Sequence, residues 1–165
     1  MSDANKLASK AQELTMEFYA LNPDAQSPPL VYAVKEDDIV AVLELNFDND
    51  LAKSLSVLGA ALYLKTNQCD ASIFVSEAWM AEYATGEAFE RPMNNPNRVE
   101  VLMCEISTSD HYINVVSKME RDKDGKLTGF SEFQRYDTED NSTLVGMTSR
   151  FDFFEGLPIN KETVH

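Results

Sequence analysis

Ile73-Phe74-Val75-Ser76-Glu77-Ala78-Trp79-Met80 is the most strand-like run in the chain, and it holds the only tryptophan. Strand side chains alternate between faces. Ile73, Val75, Glu77 and Trp79 therefore share one side, and Phe74, Ser76, Ala78 and Met80 share the other. Glu77 falls among apolar side chains, where burial is costly unless the carboxylate is paired or hydrogen-bonded. A strand at about 71–80 with one carboxylate beside a tryptophan is thus the first lead to a site.

Toward the C-terminus, residues 81–97 hold Gly86, Pro92, Asn94, Asn95 and Pro96 and read as a long loop, a kind of segment that often carries function. Val99 to Thr108 is apolar on both faces, so it should be central and covered on both sides. Tyr112–Met119, Leu127–Tyr136 and Thr143–Phe154 are further strand-like runs, each expected to have one solvated face. Polar turns separate them, one with Gly125 where a positive φ is expected. The tail, 155–165, should be irregular.

Toward the N-terminus, residues 3–21 read as a helix, with Leu7, Ala11, Leu14, Phe18 and Leu21 at three- and four-residue steps. Leu30–Val34 and Ile39–Leu45 form a hairpin around Lys35-Glu36-Asp37-Asp38. Asp48 or Asn49 caps a second helix running to about Thr66. Leu51, Leu55, Leu58 and Leu62 follow helical steps in it. Because it is apolar on most sides, it is expected to be the more buried of the two helices. Gly59 either permits close approach by a neighbour or is a tolerated defect. The whole predicts one α+β domain over residues 1–165, with two helices packed on an antiparallel meander of about five strands plus a hairpin.

The 165 residues carry 28 acidic and 14 basic side chains, a net charge of −14. That surface repels phosphate backbones and anionic membranes, so no direct nucleic-acid or membrane binding is expected. It serves solubility or draws in a basic partner. Cys69 and Cys104 lie in or beside apolar segments and read as buried free thiols of a reducing compartment. The first residues lack the apolar core of a signal peptide, and no run approaches the ~18 apolar residues of a membrane span. A cytoplasmic protein is expected.

Metal and cofactor signatures do not assemble. His111 and His165 stand apart from each other and from both cysteines, so no zinc site is expected. Glu120-x-Asp122-x-Asp124-Gly125-x-Leu127 resembles the start of a calcium-binding loop, but position twelve is Ser131, and the flanks read as strands where that motif needs helices. A hairpin turn is the better reading. A Cys104–His111 pair is conceivable, but a thiol buried in a central strand is usually inert. The scattered glycines form no phosphate-binding loop.

Carboxylates remain. Arg98 and Glu100 share one face of the strand after the loop. If that strand neighbours the first, Glu77 can pair with Arg98, or Glu77 and Glu100 can face one another. A close carboxylate pair would raise one pKa and could do acid–base work, whereas a cross-strand ion pair would only fix register. The second reading is preferred. Trp79, Tyr83 and Phe89 either line a pocket with residues 84–97, form a partner-binding patch, or pack in the core.

The stretch Phe74-Val75-Ser76-Glu77-Ala78-Trp79-Met80, followed by a loop and Asn95-Pro96-Asn97-Arg98-Val99-Glu100-Val101-Leu102, resembles a pattern in small uncharacterised proteins of phages and bacteria. The resemblance covers residues 72–106 and carries no activity. It implies a cytoplasmic accessory protein with Glu77, Trp79, Arg98 and Glu100 in a shared core. The functional expectation is therefore a non-enzymatic module that binds another protein, acting on a host protein if it is phage-encoded. A symmetric dimer would fit that reading. The alternatives are a small-molecule binder or hydrolase using Glu77, Trp79, Arg98 and Glu100, and an acidic mimic of nucleic acid.

Overall fold

The computed structural model describes residues 1–22, 24, 26–80, 99–108 and 111–137. Within them lie the helices α1 (Ala4–Leu21) and α2 (Asp50–Thr66). The strands are β1 (Leu30–Lys35), β2 (Asp38–Glu44), β3 (Ala71–Met80), β4 (Val99–Thr108), β5 (Tyr112–Arg121) and β6 (Leu127–Asp137). The strands form one sheet in the order β2-β1-β3-β4-β5-β6. Every neighbouring pair is antiparallel. This is the α+β meander with a hairpin that the hydrophobic pattern predicts. The strand-like run at 143–154 and the long loop at 81–97 lie outside the described residues.

The run Ile73–Met80 sits at the junction of the sheet. β3 pairs with β1 on one side and with β4 on the other, so α2 must carry the chain past β1 to reach it. Its alternation then assigns the two faces. Ile73 and Val75 pack with Leu7, Ala8 and Ala11 of α1, with Leu102, Cys104 and Ile106 of β4, and with Ile113 and Val115 of β5. Phe74 points the other way and packs with Val31 and Ala33 of β1 and Ala60, Ala61 and Leu64 of α2. The two helices therefore cover opposite faces of the sheet.

Local chemistry fixes the element ends. Glu36 and Asp37 both have positive φ, 49° and 67°, the backbone of a two-residue hairpin turn whose twist matches the strands. Ser2 and Asp70 hold this turn, accepting from the amides of Asp37 and Glu36. Asn49 caps α2, its side chain accepting from the amide of Ala52. Asp3 caps α1, accepting from the amides of Asn5 and Lys6. Asp3→Ala is expected to lower stability by about 1 kcal/mol, read as a shift of the denaturant midpoint at unchanged slope.

Both helix faces differ from the sequence reading. In α1 the buried positions are Ala4, Leu7, Ala8, Ala11, Thr15 and Tyr19, whereas Phe18 and Leu21 are exposed. The buried face follows four-residue steps from Leu7 through Ala11 and Thr15 to Tyr19. Thr15 tolerates burial because its hydroxyl donates to the carbonyls of Ala11 and Gln12. In α2 the correction is larger. Leu51, Leu55, Leu58 and Leu62 face outward, and only Ala60, Ala61 and Leu64 are buried. The helix packs on the sheet through Ala60, Ala61 and Leu64.

β4 is covered on both faces, as its composition predicts, with Val101 to Thr108 all buried. β5 is not half-solvated as expected: Tyr112 through Ser117 are all buried. Its polar members Asn114 and Ser117 fall on opposite faces, so neither face reads as wholly apolar and the pattern understates its burial.

Candidate functional site

Glu77 lies on the α1 side of β3, two places beyond Val75. Helix α1 delivers Tyr19 to it from above: the phenol donates to Glu77 Oε1 at 2.5 Å. Tyr19 is buried, and its ring packs edge-on against Phe130 of β6 and Phe18. Burial first, and then the hydrogen bond to Glu77, push the Tyr19 phenol well above its ordinary range. It stays a neutral donor at all physiological pH.

The neighbouring strands supply the rest. Glu100 sits across from Trp79 in the β3–β4 register, on the same face as Glu77. Its carboxylate is gripped by Arg121 of β5, with Nε to Oε2 at 2.8 Å and Nη2 to Oε1 at 2.6 Å. Arg121 also donates from Nη1 to the carbonyl of Gly125 at 3.0 Å, which ties the pair to the β5–β6 turn. Both side chains of the pair are 21% exposed. The Glu100 carboxylate raises the Arg121 pKa further, a preference for the charged form that a fork-to-fork ion pair produces.

Tyr19, Glu77, Glu100 and Arg121 thus form one polar group on the face that α1 covers. Each ionisable member already has a protein partner. Glu77 and Glu100 share a face, with Glu77 held by a phenol and Glu100 by a guanidinium. Of the site residues expected from sequence, Arg98, Tyr83 and Phe89 and the side chain of Trp79 lie outside the described residues. Tyr19 and Arg121 were not legible in the sequence. Tyr19 is off the predicted apolar stripe of α1, and Arg121 falls just past the expected end of its strand.

Beside this group is a hollow of about 240 Å³, lined by Met16, Tyr19 and Ala20 of α1 and by Leu127, Thr128, Gly129 and Phe130 of β6. Ligand pockets usually run from about 300 to 1,000 Å³, so this one is small for a metabolite.

The other leads resolve into structure. Asp122 Oδ1 accepts from the amides of Asp124 and Lys126, and Gly125 has φ 83°, so the calcium-loop look-alike is the β5–β6 hairpin turn. Cys104 is buried under α1, and burial pushes its thiol from an ordinary 9.0 up to about 12. It is therefore not a nucleophile at neutral pH. The sign follows for stability: the thiol is neutral in both states below pH 9, and its contribution is lost as the unfolded chain ionises first. Wild-type protein is expected to lose more stability between pH 9 and pH 12 than Cys104→Ala, in denaturant melts at both ends of that window.

On the opposite face, beyond α2, β4 and β5 bury a second polar row that the sequence reading passed over. Glu105 and Asn114 are register partners, each 2% exposed, with Ser72, Ser107 and Tyr112 one row away. Alternation alone places Glu105 there, but a carboxylate in a strand reads as solvent-facing until the neighbouring strands are known.

No helix among the described residues is long and apolar enough to cross a membrane. No curated protein and no solved structure matches the chain. A family model does, across residues 4–144, from the first turn of α1 past the end of β6, and by that match the chain belongs to the family of the bacteriophage lambda protein ea47.

Proposed function

We propose that the protein is a phage accessory factor that works by binding another protein in the cytoplasm rather than by catalysis. The observation that carries this reading is the outer face of α2. Leu51, Leu55, Leu58 and Leu62 stand in solvent on a chain whose net charge is −14. Scattered exposed leucines need no explanation, but an aligned apolar stripe on a helix marks a contact surface. The engagement of Glu77 and Glu100 by Tyr19 and Arg121 supports the same view, because a general acid or base needs a group left available to substrate.

Lys53 and Lys65 lie on α2 and report its surroundings. Amine crosslinking in cells that produce the full chain, followed by mass spectrometry, is expected to join these lysines to another polypeptide. Replacing Leu55 and Leu58 by glutamate should remove those links while the circular dichroism stays unchanged. Absence of intermolecular links at α2, together with a thermal-shift hit from a metabolite panel, would overturn the proposal.

The hollow beside Tyr19 favours a second reading, a small-ligand site with Glu77 and Glu100 as polar anchors and with Trp79, Tyr83, Phe89 and Arg98 as further binding residues. Its volume of about 240 Å³ ranks it below the first.

A further inference from the structure

We infer that the occupant of the outer α2 face is α2 of a second copy of this chain, packed antiparallel about a twofold axis between residues 56 and 57. The inference rests on the protein-binding reading above and names its partner.

Self-complementarity is the first argument. Leu51, Leu55, Leu58 and Leu62 are spaced four, three and four apart, the seam along which two helices interdigitate. Their exposures are 69%, 60%, 38% and 48%. With the axis at that place, Leu55 meets Leu58 of the second copy, and Leu51 meets Leu62. A twofold contact uses the same patch on both copies, as this stripe allows.

Gly59 is the second argument. It is exposed, lies beside the stripe, and an added Cβ would meet nothing within 4 Å. Glycine inside a helix is unfavourable by about 1 kcal/mol relative to alanine. No neighbour among the described residues needs the space, so the missing side chain serves an approach from outside. Ser54, also exposed, flanks the stripe on its other side, and a seam bordered by small residues lets two helices lie close.

Charge sets the direction. Asp50 lies in the first turn of α2 and Lys65 in the last. Antiparallel packing sets the acidic end of each helix, with Asp48 just before it, beside the basic end of the other. It also opposes the two helix dipoles. Parallel packing would bring like ends together. The edge strand β2 argues against self-pairing: it begins with Asp38 and ends with Glu44, so antiparallel pairing of two copies there would place acids opposite acids.

The area is modest. Two such stripes bury on the order of 1,000 Å² over both copies, at the low end of specific interfaces, the size of a weak dimer.

The test uses the full chain in analytical ultracentrifugation across a micromolar to near-millimolar range. The mass should rise from 18.5 kDa toward twice that value. Leu55→Glu with Leu58→Glu should weaken association about a hundredfold or more. Gly59→Ala should weaken it about tenfold with the fold intact, because its Cβ is free of internal contacts. Direction is read by oxidative crosslinking. Leu51→Cys mixed with Leu62→Cys should give a disulfide-linked heterodimer, and Leu51→Cys alone should give none. A wild-type chain that stays monomeric throughout overturns the inference, as does self-crosslinking by Leu51→Cys. If that monomer still shows α2 crosslinks to a different polypeptide in cells, the protein-binding reading stands without the dimer. If it shows none, both fall.

Discussion

Phe74→Ala is expected to destabilise the protein by about 3–5 kcal/mol, enough to leave a small domain at the edge of folding. Phe74 is 2% exposed and fills the space between the sheet and α2, among Val31, Ala33, Ala60, Ala61 and Leu64. Phe47 lies against it with ring centroids 6.3 Å apart. Removing the ring opens a cavity that cannot collapse easily. The alanines of α2 are too short to reach into the gap, and Leu64 and Leu45 are already packed in the same cluster. Urea denaturation at neutral pH measures the loss. A cost below about 1 kcal/mol would mean that α2 does not depend on this contact.

The second large effect belongs to Arg121. Its guanidinium holds both oxygens of Glu100 and the carbonyl of Gly125. Arg121→Ala strands a largely buried carboxylate and should cost about 2–3 kcal/mol. Glu100→Gln combined with Arg121→Met removes both charges and should cost less than Arg121→Ala alone, since the expensive state is a single unpaired charge. The double-mutant cycle of Glu100→Gln, Arg121→Met and their combination in denaturant melts checks this. Additive single effects would show that the pair contributes no coupling.

These two positions illustrate how far the sequence could be read. The run Ile73–Met80 announced its own conformation, because period-two alternation and β-branched residues are local properties. The edges of α1, α2 and β1 to β6 were legible to within two residues for the same reason, helped by the cap at Asp48 or Asn49 and by the charged turn at Lys35-Glu36-Asp37-Asp38. Glu77 was singled out as a carboxylate needing a partner, with Arg98, outside the described residues, as the partner expected. Its hydrogen-bond donor, Tyr19, lies 58 residues away on another element, and no local pattern couples the two. Arg121 was hidden from Glu100 in the same way, 21 residues along the chain and on another strand.

The face of α2 was misread for a physical reason. Leucines at helical steps are apolar whether they meet a core or a second molecule, and hydrophobicity alone does not name the partner. The sequence by itself determined the helices, the strands, the antiparallel meander and the acidic surface, because each depends on periodicity, capping or charge. Only the tertiary structure decided that β3 lies between β1 and β4, and that Tyr19 and Arg121 hold Glu77 and Glu100. It alone decided that α2 buries alanines and turns its leucines outward. Those outcomes depend on which residues distant in the chain come together, and pairings of that kind are settled only when the two faces of the sheet are filled.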